Sequence, residues 1–381
     1  MTRYVTFCAV MSMLGACAPT PELAAVLNDS IRVATFNIQE LSQLKLDAVD
    51  GRGVGTDSQL LAAAQVIKRI RPDVVLLNEV DVAMHRAELA HTARLFVERY
   101  LRQDPDPISY VHVFAAPSNT GLLSGFDLDR NGVTADTSRS GERAHGDDSW
   151  GFGVYPGQYG MAVLSRYPID TSRVRTFQHF RWKDLPGNHL PPGFWPDSVV
   201  VHVRLSSKSH WDIPVVIGGD TLHLLASHPT PPVFDGPEDR NGRRNFDEIG
   251  FWKHYLDNHA GLVDDRGVPG GLPEGKSFVV LGDLNADPDR ADTTYDGVRA
   301  MAQILGHARV QDPPPHRGVA TATFLGGTRV DYVLPSRALE VIGGGVFAPD
   351  SIDDPAGALM ARGASDHRLV WVDLRWPSLV P

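Results

Sequence analysis

The sequence predicts an α/β fold whose sheet is covered on both faces, and three observations carry that expectation. Eight short runs are rich in β-branched residues, several of them are apolar on both faces, and segments with apolar residues at helical spacing lie between them. A strand apolar on both faces belongs inside a covered sheet, because a half-wet sheet alternates apolar and polar residues. With no internal repeat and no long polar linker, one domain over 31–376 is the simplest organisation. A composition that is 42% hydrophobic and 22% charged is that of a chain able to bury a full core.

The first segment is set apart from that fold. Arg3 precedes an apolar run from Tyr4 to Leu14, then small residues and Pro19, which is the pattern of an export signal. The run is shorter than the roughly 20 residues needed to span a bilayer. Leu14, Gly15, Ala16 and Cys17 resemble a bacterial lipoprotein signal, in which the cysteine becomes the lipidated first residue. Ordinary secretion, with Ala16 and Ala18 at the cleavage site, is the alternative. The expected division is a signal over 1–17 and a short linker over 18–30, with a lipid anchor as the sole membrane contact of an otherwise monomeric protein. Both cysteines, Cys8 and Cys17, fall in this segment, so the body has no thiol for a disulfide, a zinc site or a nucleophile.

The elements follow in order. IRVATFN (31–37) is the first strand, and a helix follows with Leu60, Ala64, Ile67 and Ile70 on one stripe; Lys68, Arg69 and Arg71 suit its C-terminus, and Pro72 ends it. DVVLLNE (73–79) is the second strand. The stretch Thr120–Tyr159 is rich in Gly, Asp and Ser and has neither period, so an insertion is expected over about 120–158. GMAVLS (160–165), SVVVHVRL (198–205) and HLLAS (223–227) read as strands, and Phe246, Ile249, Trp252 and Leu256 mark a second helix. FVVLGD (278–283), RVDYVL (329–334) and RLVWVDL (368–374) complete the strands.

The chemistry is legible in where polar residues interrupt these runs. Asn37, Glu79, Asp283 and Asp366 stand at strand ends, and such ends converge on one rim in α/β structures. Any one of them alone is an ordinary turn or helix cap. Together with His228, Asn285 and His367 they offer carboxylates, amides and imidazoles without a cysteine, a set suited to Mg²⁺ or Mn²⁺ rather than zinc. The net charge of −10 argues against a general nucleic-acid binder working by long-range attraction, yet leaves a nuclease open because bound metal supplies local positive charge. A second candidate cation site lies in FDLDRNG, where Asp127, Asp129 and Asn131 have the spacing of a calcium loop and Gly132 sits at its sharp turn. Ser138 stands where that loop carries its bidentate Glu; Asp147 or Asp148 could substitute, and an Asx-type turn is the alternative.

Seven motifs in order then resemble the endonuclease/exonuclease/phosphatase superfamily: TFNIQE, PDVVLLNEVD, YGMAVLSRYPI, LLASHPTPP, LGDLNADP, TRVDYVLPS and SDHRLVWVDL. The resemblance implies a four-layer sandwich, two mixed β-sheets face to face with helices outside, of the pancreatic-DNase type, and an active site at one end. It implies that Glu79 is the principal metal ligand, with Asn37 and Asp366 completing the metal and phosphate environment. Asp283 would activate water, Asn285 would orient it, His367 held by Asp331 would stabilise phosphoryl charge, and His228 would donate to the phosphate or leaving group. The Pro-Ala-Trp-Cys-Asp-Arg run of the inositol phosphatases is absent, its place taken by TRVDYVLPS.

FDLDRNG, SSKSHWDIP and EDRNGRRNFDE resemble an exported bacterial subgroup. They add Arg240, Arg243 and Arg244 as candidate substrate contacts, with a solvated charged loop as the alternative, Lys208 and His210, with a plain turn as the alternative, and Tyr159 at the end of the insertion. The first expectation is an exported phosphodiesterase with nucleic acid as a candidate substrate. A phosphomonoesterase acting on sugar or inositol phosphates and a non-catalytic binding module are the alternatives.

Overall fold

The computed structural model describes residues 29–290 and 293–376. The expected signal segment and the linker up to residue 28 lie outside the described residues. The first sheet holds β1 (Ser30–Leu41), β2 (Val74–Val80), β3 (His112–Phe114) and β4 (Gly160–Ser165). The second holds β5 (Arg175–Thr176), β6 (Trp211–Ile217), β7 (Asp220–Ala226) and β8 (Ser277–Asp283). β9 (Thr294–Tyr295) and β10 (Val298–Arg299) form a separate ribbon. β11 (Asp331–Pro335) joins the second sheet, and β12 (Val341–Val346) and β13 (Val370–Arg375) join the first. The orders are β12-β13-β1-β2-β4-β3 and β11-β8-β7-β6-β5. Each sheet has one parallel pair, β1 with β2 and β7 with β8, among antiparallel neighbours.

Three slabs of buried apolar side chains make the four layers. Val33, Leu76 and Val163 from one sheet meet Ile213, Leu224 and Leu281 from the other, which is why these strands are apolar on both faces. Outside the first sheet, Leu60, Ile67 and Ile70 of α1 (Ser58–Ile70) pack on Ala34, Val75 and Leu77. Outside the second, Phe246, Ile249 and Trp252 of α2 (Arg240–Leu256) cover Leu225, Phe278 and Val280. The ends of α1 follow from its sequence. The Asp57 carboxylate accepts from the Leu60 amide, Arg71 closes the helix in the left-handed region at φ 54°, and Pro72 follows.

Two expectations need correction. SVVVHVRL is not a strand: Asp197–Val200 is a single helical turn opened by Pro196, and the rest is loop. A continuous apolar run has no period to separate strand from buried helix, and the proline before it favours a helix start. The strand of that region is Trp211–Ile217, hidden by Asp212 and Pro214. The second long helix starts at Arg240, ahead of the expected Phe246, because its first turns are polar even where they are buried, as at Asn245. The stretch 120–158 contains short helical turns at Thr137–Arg139 and Arg143–Asp147 and isolated bridges between Thr120 and Gly151 and between Leu123 and Ser149. A third helix, α3 (Pro355–Ala364), leads back to the rim ahead of β13.

Candidate active site

β1, β2, β7 and β8 all end at one rim, and the antiparallel β11 and β13 begin there, so side chains from six strands and their flanks converge. Asp331 opens β11 directly opposite Asp283, the last residue of β8. The approach is tight: at Gly282, φ 142°, a Cβ would lie 2.0 Å from the Ser227 carbonyl oxygen, so the segment carrying His228 can sit against β8 only over glycine. The strand ends are irregular. Glu79 takes φ 61° at a bulge after Asn78, Asn285 takes φ 51°, and these departures re-aim side chains toward the rim.

Asp283 is the hub. Its Oδ2 accepts from Asn37 Nδ2 at 3.0 Å and faces His228 Nε2 at 3.5 Å and His367 Nε2 at 3.7 Å. Its Oδ1 accepts from the Asn285 amide at 2.9 Å, and its own amide donates to Asn78 Oδ1 at 3.2 Å. Burial pushes the Asp283 carboxyl up to about 6, against the charge of His367. Burial also pulls the His367 imidazole down, but Asp331, 2.9 Å from Nδ1, and Asp283 outweigh it and hold His367 up at about 10. His228 is the opposite case: burial, with Lys208 and His367 nearby, drives it well below the ordinary imidazole range. At neutral pH one histidine of the site is charged and the other is not.

Asn37 bridges the two acids, since its Nδ2 also donates to Glu79 Oε1 at 3.0 Å; its Oδ1 is taken by the Gln39 amide at 3.1 Å. Asn37 therefore aligns Glu79 and Asp283, and its Oδ1, with one lone pair engaged by Gln39, keeps a second. Asp283, Asp331 and His367 converge closely enough to resemble a metal cluster. A protonated imidazole has no lone pair to give, however, and already serves as their cation. Glu79 fits a metal better. Its carboxyl is raised by burial, no described cationic side chain pairs with it, and it lines a cavity of about 510 Å³ together with Gln39 and Asp366. The part-buried Glu79 carboxylate, without a cationic partner among the described residues, with the Gln39 and Asp366 oxygens in the same cavity, suits a hard divalent cation.

The same cavity is lined by His228, Lys208, Tyr159, Arg240 and Arg244, and farther out by Leu128, Trp182 and Trp195. Not all candidate contacts face it freely. Arg244 spends its guanidinium on the carbonyls of Leu205, Trp150 and Arg204. Arg240 pairs with Glu238. Arg243 lies outside the cavity, stacked over Tyr295, and His210 is a core residue packed on Phe251 and Trp252 with Nε2 against the Glu248 carbonyl. Apart from the active site, Asp148 joins Asp127 and Asp129 in a second acidic cluster, while Asp147 pairs with Arg143.

Several supports had gone unread in the sequence. Ser365 Oγ donates to the Asn37 carbonyl and accepts from the His367 amide. Thr321 Oγ1 accepts from the amides of Val330 and Asp331. Asn245 Nδ2 reaches the carbonyls of Thr230 and Leu284. Asn78, which accepts from the Asp283 amide, is different: a polar residue within the apolar run VVLLN, it left a signal that strand reading could have caught.

The profile of the Endonuclease/Exonuclease/phosphatase family matches residues 34–367. No curated protein matches the chain. Among solved structures, the chain is similar to an endonuclease/exonuclease/phosphatase from Beutenbergia cavernae DSM 12333, at 20% identity over 91% of this chain and 71% of that one, with a TM-score of 0.51. It is also similar to an endonuclease/exonuclease/phosphatase family protein from Leptotrichia buccalis C-1013-b, at 15% identity over 90% of this chain and 98% of that one, TM-score 0.49. Sphingomyelinase C from Streptomyces griseocarneus gives 15% identity over 90% and 99%, TM-score 0.43. With a profile match spanning nearly the whole described body, the chain belongs to the Endonuclease/Exonuclease/phosphatase family.

Proposed function

We propose that this chain is a divalent-metal-dependent phosphodiesterase acting by in-line attack of water. The supporting observation is the Asp283 carboxylate set between a charged His367 and a neutral His228, beside Glu79. Asp283, ionised above about 6, accepts the proton of the attacking water, with Asn285 and Asn37 fixing its two oxygens. His367 Nε2 is too far from Asp283 for a hydrogen bond and turns its proton to developing phosphoryl charge, while Asp331 holds the ring from behind. His228 hydrogen-bonds the phosphate or the leaving oxygen. Glu79 and Asp366 would hold Mg²⁺ or Mn²⁺, which when bound neutralises phosphoryl charge as a Lewis acid.

The cavity of about 510 Å³ is lined by Leu128, Trp182 and Trp195 as well as by the polar centre, and such apolar lining supports a second group esterified to the phosphate, a diester over a monoester. Nucleic acid is the first diester to try. The test is purified protein with Mg²⁺ or Mn²⁺ on DNA, RNA, a generic diester, a generic monoester and sphingomyelin. Turnover of the monoester alone rejects the diester reading, and no metal-dependent turnover of any substrate favours a binding module.

Export as a lipid-anchored protein through Cys17 belongs to the same reading. Fractionation of cells expressing the full chain and its Cys17→Ala variant tests it: the anchored form partitions with membranes and the variant does not. For the second cluster, structural Ca²⁺ is the reading supported by three converging carboxylates without a cationic partner among the described residues.

A further inference from the structure

The hydrolase reading leaves four buried polar groups of the cavity unused. Lys208 is 6% exposed and lies in the connection just before β6; its ammonium makes no hydrogen bond or ion pair with any described residue. Ser207 Oγ, Thr230 Oγ1 and His228 Nδ1 are also buried without a hydrogen-bond partner, and all three residues line the cavity with Lys208. Unpartnered buried polar groups are rare in a native fold, and several in one wall point to a ligand.

Their placement has one cause. Glu248 of α2 is fully buried, and its two carboxylate oxygens accept from the backbone amides of Ser207 at 2.7 Å and Thr230 at 2.6 Å. One helix residue thus pins the segment before β6 and the segment after β7. The Lys208 carbonyl is fixed from the other side by the Asn119 amide at 2.9 Å. With their backbone amides spent on Glu248, Ser207 and Thr230 are fixed beside Lys208 in the cavity wall, their hydroxyls buried and unpartnered. An ammonium and two hydroxyls offer donors for an anion.

We propose that Lys208, Ser207 and Thr230 form a subsite for the non-bridging oxygens of the substrate's phosphoryl group, with Glu248 as its positioning residue. The proposal deepens the hydrolase reading and rests on it. Burial lowers the Lys208 ammonium, and Glu248 first, then Asp283 and Glu79, act against that through space, so its charge also lies within the field of the catalytic centre. A lysine serving only to offset Glu248 would sit against that carboxylate; here the two make no ion pair.

The test is calorimetric binding of inorganic phosphate in the presence of Mg²⁺ to the wild type, Lys208→Met, the doubly substituted Ser207→Ala/Thr230→Val protein and Asp283→Asn, with diester kinetics alongside. Lys208→Met is expected to weaken phosphate binding and diester kcat/KM by roughly tenfold or more, since it removes a charge-assisted contact. Ser207→Ala/Thr230→Val should weaken both less, with thermal midpoints near that of the wild type. Glu248→Gln, which keeps one acceptor oxygen, should retain more phosphate affinity than Glu248→Ala. Asp283→Asn should still bind phosphate. Wild-type affinity in a folded Lys208→Met protein overturns the proposal, as does wild-type protein that binds no phosphate. Phosphate binding that depends on Lys208 in a protein that hydrolyses nothing upholds the subsite and defeats the hydrolase reading instead.

Discussion

Two groups of acids in this molecule have nearly the same shape and opposite electrostatics. At the rim, Asp283 and Asp331 are buried and separated by an imidazole that their own charge keeps protonated. In the insertion, Asp127, Asp129 and Asp148 converge with no described lysine, arginine or histidine paired to any of them. Their oxygens accept only amides: Asn131 and Gly132 on Asp127, Leu128 and Ala135 on Asp148. Burial and the two neighbouring carboxylates raise Asp148. Convergence of carboxylates therefore does not by itself mark a metal site. What matters is whether the protein supplies the counter-charge. The rim cluster carries its own cation, while the loop cluster has no cationic partner among the described residues.

The largest expected effect tests the proton chemistry. Asp283→Asn keeps the shape and removes the base, so kcat on a generic diester should fall by about 10²–10⁴-fold. An active variant would transfer the role to another group. Next, the charged state of His367 is tested through its partner. Asp331→Asn should lower turnover by roughly 10–100-fold, as loss of an orienting carboxylate does elsewhere.

That substitution should also change the pH profile in a defined direction. The rate rises as Asp283 ionises through about 6 and falls as His367 loses its proton through about 10. Because Asp331 holds the imidazole up by its charge and its hydrogen bond, and also raises Asp283 through space, its removal should move the alkaline limb to lower pH and the acid limb the same way by less. An unmoved alkaline limb breaks the contrast between the clusters. The smallest effect belongs to the loop. Calcium should raise the thermal midpoint by about 2–4 °C for each kcal/mol it contributes, and Asp129→Asn should abolish that rise without loss of diesterase activity. Equal midpoints with calcium and with chelator would make the loop a plain Asx turn.

Much of the rim was legible because several interruptions coincide: an Asn, a Glu or an Asp ending one apolar run is an ordinary cap or turn, whereas four such ends in one chain point to a shared rim. That logic found Asn37, Glu79, Asp283 and Asp366, and His367 beside them. It failed where polar residues support rather than react. Glu248 and Asn245 sit in a helix whose apolar stripe of Phe246, Ile249 and Trp252 drew the eye, although both acid and amide face inward as well. It failed again for SVVVHVRL, where hydrophobicity without a period was taken as a strand, and for His210, whose ring serves the core. Of the candidate arginines, Arg240 and Arg244 line the cavity but are already bonded within the protein, and Arg243 alone lies outside it. A guanidinium can reach several carbonyls at once, and sequence does not show that Arg244 is already engaged.

The most direct test of the account is metal-dependent hydrolysis of a generic phosphodiester by the wild type and by Asp283→Asn, measured side by side with and without chelator. The account predicts turnover by the wild type that chelator abolishes and a near-inactive variant of unchanged thermal midpoint. Turnover that survives chelation, or a variant as active as the wild type, would contradict it.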